Sequence, residues 1–151
     1  MQLELSKEFT FEAAHVLPKH PGKCSQLHGH SWVLKVSVAG EIDPETGFVM
    51  DYADIKKAVQ PIIDSLDHKT LGQWVDEERQ SSIPLDPRFH STSHAVFGLP
   101  ETFYPSSENL IIWIADQLGN LMWSKLELNE TCTSRCTLIR KDYDDWKAGQ
   151  R

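Results

Sequence analysis

Hydrophobic and polar residues alternate at period two over residues 3–15. Phe9, Phe11, Ala13 and His15 fall on one side of an extended chain and Thr10, Glu12 and Ala14 on the other, which predicts a half-buried strand. A second alternation, over residues 31–42, sets Trp32, Leu34, Val36 and Val38 against Val33, Lys35 and Ser37. The stretch 18–23 between them is dense in turn residues and predicts a loop. Asp43-Pro44-Glu45-Thr46-Gly47 predicts a tight turn, because proline presets φ and glycine accepts positive φ.

From residue 52 to 66 the period becomes helical. Ile55, Val59, Ile62 or Ile63, and Leu66 recur at steps of three or four, with Asp51 placed to cap the N-terminus. Pro61 inside this pattern predicts a kink or break near Gln60. A second helix is expected to open at Pro105-Ser106-Ser107-Glu108, with a hydroxyl cap and an acid in the first turn, and to run through Leu110, Ile114, Leu118 and Leu121. Two short strands follow at about 125–131 and 135–141, joined by a turn near Thr133 and Ser134, and the polar tail 142–151 is expected to fray. Residues 72–103 fit neither period. The order β, β, α, long loop, α, β, β reads as one α+β domain over 1–151, a four-stranded antiparallel sheet with helices on one face.

Composition narrows the partners. The chain has 151 residues, 15 Lys plus Arg and 22 Asp plus Glu, for a net charge of −7. That length supports a core without staples, and an acidic balance with no basic stripe argues against nucleic acid and anionic membranes as partners. No apolar run is long enough to span a bilayer, and the stretch 110–118 is interrupted by Asp116. The first eight residues carry acids where a secretory signal has an apolar core, so a soluble cytoplasmic domain is expected. Three cysteines, Cys24, Cys132 and Cys136, fit a reducing compartment, and the last two are expected to pack in the interior.

The first chemical cluster is His28-Gly29-His30. In an extended chain both imidazoles point to one side, and His15, at the end of the neighbouring strand, is the candidate third donor. Three nitrogen donors suit zinc and leave a fourth position for water or substrate. Cys24, four residues before His28, reads equally as a fourth ligand, a structural thiol or a thiolate base activated by a nearby cation. Asp67-His68 closes the first helix. Adjacent side chains on a helix diverge, so His68 reads either as a helix C-terminal histidine complementing the dipole or as a proton relay. Glu130, placed in a strand, reads first as a solvated acid, and Glu108 as a helix N-terminal one. His20, His90 and His94 show no partner spacing and read as surface residues.

In order along the chain stand Phe11-Glu12-Ala13-Ala14-His15, Cys24-x-x-x-His28-Gly29-His30, Asp67-His68, Pro105-Ser106-Ser107-Glu108 and Glu130-Thr131-Cys132-Thr133. Together these motifs resemble the 6-pyruvoyl-tetrahydropterin synthase family. They are most similar to its bacterial branch, which forms 6-carboxy-tetrahydropterin in queuosine biosynthesis. The three residues between Cys24 and His28, and the ending Glu130-Thr131-Cys132-Thr133-x-x-Cys136, carry the likeness to that branch. The match spans about residues 5–71 and 104–140. It implies a tunnelling fold (T-fold), assembly into trimers and then hexamers, and sites at subunit interfaces.

The resemblance also implies roles. His15, His28 and His30 would bind zinc and Cys24 would be the catalytic thiolate. Asp67 and His68 would form the relay. Ser106, Ser107 and Glu108 would line the pterin pocket, and Glu130 would anchor the pterin and join the relay. The implied substrate is 7,8-dihydroneopterin triphosphate, giving the 6-carboxy pterin, acetaldehyde and triphosphate; Lys19, Lys23, Lys69 and Arg135 are candidate phosphate partners. The alternatives are a 6-pyruvoyl-forming synthase and a non-catalytic pterin- or zinc-binding T-fold protein. Family members usually join the His68 and Pro105 regions by a shorter loop, so 72–103 reads as an insertion. Its role as oligomer contact or decoration is preferred over a lid because every flanking motif is intact, and Trp74, Phe89, Phe97 and Phe103 suggest that parts of it pack.

Overall fold

The computed structural model describes residues 1–72 and 103–150, so most of the expected insertion, with His90 and His94, lies outside the described residues. Two 14-residue strands dominate, β1 (Gln2–His15) and β2 (His28–Glu41), paired antiparallel along their whole length from Gln2↔Glu41 to His15↔His28. Helix α1 (Tyr52–Leu66) follows, then a short strand β3 (Lys69–Leu71), helix α2 (Ser107–Gln117), strands β4 (Lys125–Asn129) and β5 (Arg135–Ile139), and helix α3 (Arg140–Ala148). The sheet order is β3-β1-β2-β4-β5, antiparallel except where β3 lies parallel to the end of β1.

The α+β reading holds, with five strands in place of four. The three-residue β3 is too short for periodicity to show. The core lies where the alternation put it. Phe9, Phe11 and Ala13 of β1, Trp32, Leu34, Val36 and Val38 of β2, and Leu126 and Leu128 of β4 are buried together with Ile55, Val59, Ile62, Ile63 and Leu66 of α1. From α2 they are joined by Leu110, Ile111, Ile114 and Ala115. Phe11 and Trp32, opposite in register, lie nearly parallel with ring centroids 6.0 Å apart, and the Trp32 indole donates to the Ala13 carbonyl at 3.2 Å. The other face of the sheet is charged: Glu127 meets Lys35 at 3.8 Å and Arg135 at 3.2 Å.

Three local expectations change. Helix α1 runs through Pro61 without a break. Pro61 sits on the exposed side of the helix with Lys57, whose carbonyl would have accepted from residue 61, so water can serve that carbonyl. Asp51 caps this helix as expected, accepting from Ala53 N at 2.7 Å. The polar tail is helical as far as Ala148 where fraying was expected: α3 is fastened to distant residues, with Lys147 2.7 Å from Asp116, the Tyr143 hydroxyl donating to Asp116, and Arg140 lying 5.1 Å from the Trp123 ring. The β4 strand stops at Asn129, so Glu130 lies in the bend beyond it rather than within a strand.

A cluster of three histidines beside an acidic cleft

Sheet parity builds the site. Positions 9, 11, 13 and 15 of β1 and 28, 30, 32, 34 of β2 share the helix-covered face, so His15, His28 and His30 continue the row in which Phe11 and Trp32 stand. His15 faces His28 directly, and Ala13 faces His30. Glu130 extends the Leu126–Leu128 row of β4 on the same face. The histidines therefore lie where the apolar core gives way to polar groups. His15 is fully buried.

The outer nitrogens orient the inner ones. His15 Nδ1–H donates to the Pro105 carbonyl at 2.7 Å, and His28 Nδ1–H donates to the Gln26 carbonyl at 2.7 Å. A carbonyl only accepts, so in the neutral rings these bonds leave lone pairs on Nε2. Those two Nε2 atoms are 3.1 Å apart, and the ligand atoms of all three histidines lie within 4.8 Å of one another. Burial pushes His15 and His30 below the ordinary histidine value, which disfavours a proton as the bridge. His30 Nε2 is buried with no hydrogen-bond partner. Converging lone pairs without protons are what a divalent cation requires, so the three residues fit a metal ion.

Beside them opens a cleft of about 260 Å³ lined by Ser107, Glu108, Leu128, Glu130, Arg135 and Cys136, among others. Glu130 joins the two features: its Oε1 is 3.3 Å from His15 Nε2 and 3.6 Å from His30 Nε2. Glu108, in the first turn of α2, is held below the usual carboxylate range by its own main-chain N–H, with help from the Ser106 and Ser107 hydroxyls. Ser106 serves as the N-cap of α2, accepting from Asn109 N at 3.3 Å. Thus Ser107, Glu108 and Glu130 meet at the cleft, while Ser106 supports the helix that carries them.

The Asp67–His68 pair is built differently from the helical expectation. Asp67 is the extended C-cap of α1, and His68 takes a left-handed backbone at φ 57°. Beyond the helix the two side chains no longer diverge, and His68 Nδ1 lies 2.8 Å from Asp67 Oδ2. The pair is tied to β1: Glu12 N–H donates to Asp67 Oδ1 at 2.8 Å, and His68 N–H donates to the Glu12 carbonyl at 2.6 Å. The Glu12 main-chain N–H and then His68 hold Asp67 below the usual carboxylate range. The His68 imidazole is 79% exposed, and among the described residues no hydrogen bond or ion pair joins this pair to Cys24 or to the three histidines. Cys24 stands half-buried in a single 3-10 turn, and its thiol forms no hydrogen bond among the described residues.

The sequence offered Arg135 as a phosphate partner and Cys136 as a packing residue, and neither as a wall of the cleft beside Glu130. Arg135 and Cys136 line the cleft, and the pairing Leu128↔Cys136 is the signal that places Cys136 on the core face next to Glu130. Burial, and then the charge of Glu108, push the Cys136 thiol up, so it stays protonated. Cys136 also packs on the core as expected, whereas Cys132 is exposed on the bend and corrects the expectation of a packing role. Arg135 is committed to Asn129 and Glu127, at 3.0 and 3.2 Å. His20 is a surface residue that accepts from Gly22 N at 3.0 Å. No helix of the described residues is long and apolar enough to cross a membrane.

Comparison with known proteins gives this arrangement a family. The chain is 33% identical over 140 residues to the 6-carboxy-5,6,7,8-tetrahydropterin synthase of Haemophilus influenzae, covering 88% of this chain and 96% of that protein. It is 35% identical over 136 residues to the protein of that name from Synechocystis, covering 85% and 86%. Its fold matches that of the Caenorhabditis elegans 6-pyruvoyl tetrahydropterin synthase with a TM-score of 0.66 at 24% identity, over 92% of this chain and 96% of that one. The family model for 6-pyruvoyl tetrahydropterin synthase matches residues 4–141, which include the three histidines, the Asp67–His68 pair and Glu130, and the chain belongs to that family.

Proposed function

We propose that this protein is a zinc-dependent carbon–carbon lyase. In this reading it converts 7,8-dihydroneopterin triphosphate and water to 6-carboxy-5,6,7,8-tetrahydropterin, acetaldehyde and triphosphate, in the cytoplasm, as a step of queuosine biosynthesis. The observation that carries the reading is the convergence of His15, His28 and His30 beside a cleft closed by Glu130. The names of the bacterial relatives and the Cys24-x-x-x-His28 spacing favour the 6-carboxy product.

When bound by the three histidines, zinc supplies Lewis acidity toward the hydroxyl-bearing side chain of the substrate. Glu130 accepts hydrogen bonds from the amino and ring N–H groups of the pterin and fixes its register. Ser107 and Glu108 line the same pocket, with Ser106 holding the helix start. Cys24 is the general base that takes a proton from the substrate side chain. His68, with Nδ1–H held by Asp67, relays a proton through Nε2. The exposure of His68 supports a site completed between copies of the chain, in a hexamer built as a dimer of trimers.

A 6-pyruvoyl-forming reaction is the second reading, favoured by 42% identity over 83 residues to the 6-pyruvoyl tetrahydrobiopterin synthase of Pongo abelii. Incubating zinc-loaded protein with 7,8-dihydroneopterin triphosphate and identifying products by mass spectrometry separates the two. Acetaldehyde with a 6-carboxy pterin establishes the lyase, a 6-pyruvoyl pterin the synthase, and unchanged substrate a binding protein.

A further inference from the structure

Glu130 stands in two places at once. It lines the cleft, and its Oε1 also reaches two of the metal-facing nitrogens, His15 Nε2 at 3.3 Å and His30 Nε2 at 3.6 Å. Zinc takes nitrogen and carboxylate donors at roughly 2.0–2.2 Å, which puts any two donors of a tetrahedral site about 3.3–3.6 Å apart. The separation of His15 and His28 Nε2, 3.1 Å, is close to that spacing, and the two Glu130 separations bracket it. Among the described residues no lysine, arginine or amide side chain holds this carboxylate; its ion-pair partners are His15 and His30, and His28 stands beyond ion-pair distance of it. Glu130 stands in the bend after Asn129, beyond the last residue of β4, between the histidines and the cleft.

We propose that Glu130 is the fourth metal donor of the pterin-free protein, and that a pterin entering the cleft draws its carboxylate off the metal. This rests on the functional reading above for the identity of the ligand, but not for the metal. A carboxylate engaged by two N–H groups of a pterin is a poorer donor to a cation, so one event fixes the ring and opens the coordination position. In the absence of pterin the metal is closed by protein atoms and held more tightly. Binding is thereby coupled to exposure of the reactive position, and no new residue is needed.

Cobalt(II) reports the donor set by its visible spectrum and can stand in for zinc. The metal arm compares wild type, Glu130→Gln and Glu130→Ala without pterin, by chelator competition and absorption. The expected result is a loss of metal affinity of about 10-fold or more in Glu130→Ala with an altered spectrum, of the order seen when a metal site loses a supporting carboxylate. Unchanged affinity and spectrum in both variants overturn the assignment. The pterin arm adds 7,8-dihydroneopterin, which lacks the triphosphate and is not turned over. It is expected to shift the wild-type spectrum toward that of Glu130→Ala and to leave the Glu130→Ala spectrum unmoved. Dihydroneopterin that binds wild type, by fluorescence, without shifting the spectrum overturns the exchange. Absence of binding counts against the functional reading and the exchange together, while the metal arm still decides the fourth donor. Native circular dichroism of both variants confirms that the comparison is between folded proteins.

Discussion

His15 and His28 face each other at the last register position of β1 and β2, with Nε2 atoms 3.1 Å apart and each Nδ1 donating to a main-chain carbonyl. Neither ring can rotate to relieve this approach without losing its outer bond. The pair is therefore set for a cation before one arrives. Replacing His15 with Ala removes a donor and should weaken zinc binding by more than about 100-fold, beyond the loss typical of outer partners alone. Zinc content after dialysis against a mild chelator checks this, and full retention in His15→Ala would remove His15 from the site.

Among the described residues Cys24 makes no polar contact with the histidines, and its substitution separates the catalytic reading from the ligand one. Cys24→Ala should keep stoichiometric zinc and lose turnover by about 10²–10⁴-fold, the contribution of a positioned base. Metal content and turnover are to be measured on the same preparation. Zinc falling in parallel with rate would make Cys24 a ligand instead.

Asp67→Asn tests the relay through its tautomer. The amide can still accept from Glu12 N–H through its oxygen, so the anchor to β1 survives. Its other end then presents N–H to His68 Nδ1, where a carboxylate had accepted at 2.8 Å. The proton moves to Nε2, so the atom that should accept from the substrate already carries a hydrogen. A fall in kcat of about 10²-fold or more at unchanged KM is expected. A rise in KM at unchanged kcat would reassign the pair to binding.

The histidines also make stability depend on pH. Burial holds His15 and His30 below the ordinary value of 6.5 in the fold, while in the unfolded chain they titrate near it. Below about pH 6.5 the unfolded chain binds more protons than the folded one, so metal-free protein loses stability as pH falls and keeps it above. Urea midpoints of metal-free protein at pH 7.5 and 5.5 should separate more for wild type than for His15→Gln/His30→Gln. Equal shifts in both proteins would sink this account.

Much of this site could be read from local patterns, and the rest depended on distance. The period-two faces put His15 in line with Phe11, and His28 and His30 in line with Trp32, so the cluster follows once β1 and β2 pair. The Asp67–His68 contact could not be read from helical geometry, because it forms only where the chain leaves α1 at a left-handed residue held by Glu12. Ser107, Glu108 and Cys136 come to one cleft because the start of α2 lies across the ends of β4 and β5, a packing that no spacing within either segment states. Residues 142–148 look polar in isolation since their partners, Asp116 and Trp123, belong to other elements.

That docking of α3 is itself open to measurement. The Tyr143 hydroxyl donates to Asp116, its ring tilts against Trp123 with centroids 5.5 Å apart, and Lys147 closes on the same carboxylate. Burial first, and then Asp116, push the Tyr143 phenol above its ordinary value, so the donor stays protonated across the working range. Tyr143→Phe keeps the ring packing and removes only the hydroxyl. Because Asp116 is solvent-accessible and retains Lys147, the loss should be modest, about 1 kcal/mol or a fall of roughly 2–4 °C in Tm for a chain of this size. Tyr143→Ala should cost more, since it also strips the contact with Trp123. Zinc content should be unchanged in both, because α3 contributes none of the histidines. An unaltered Tm in Tyr143→Ala would show that α3 is held by Arg140 and Lys147 alone.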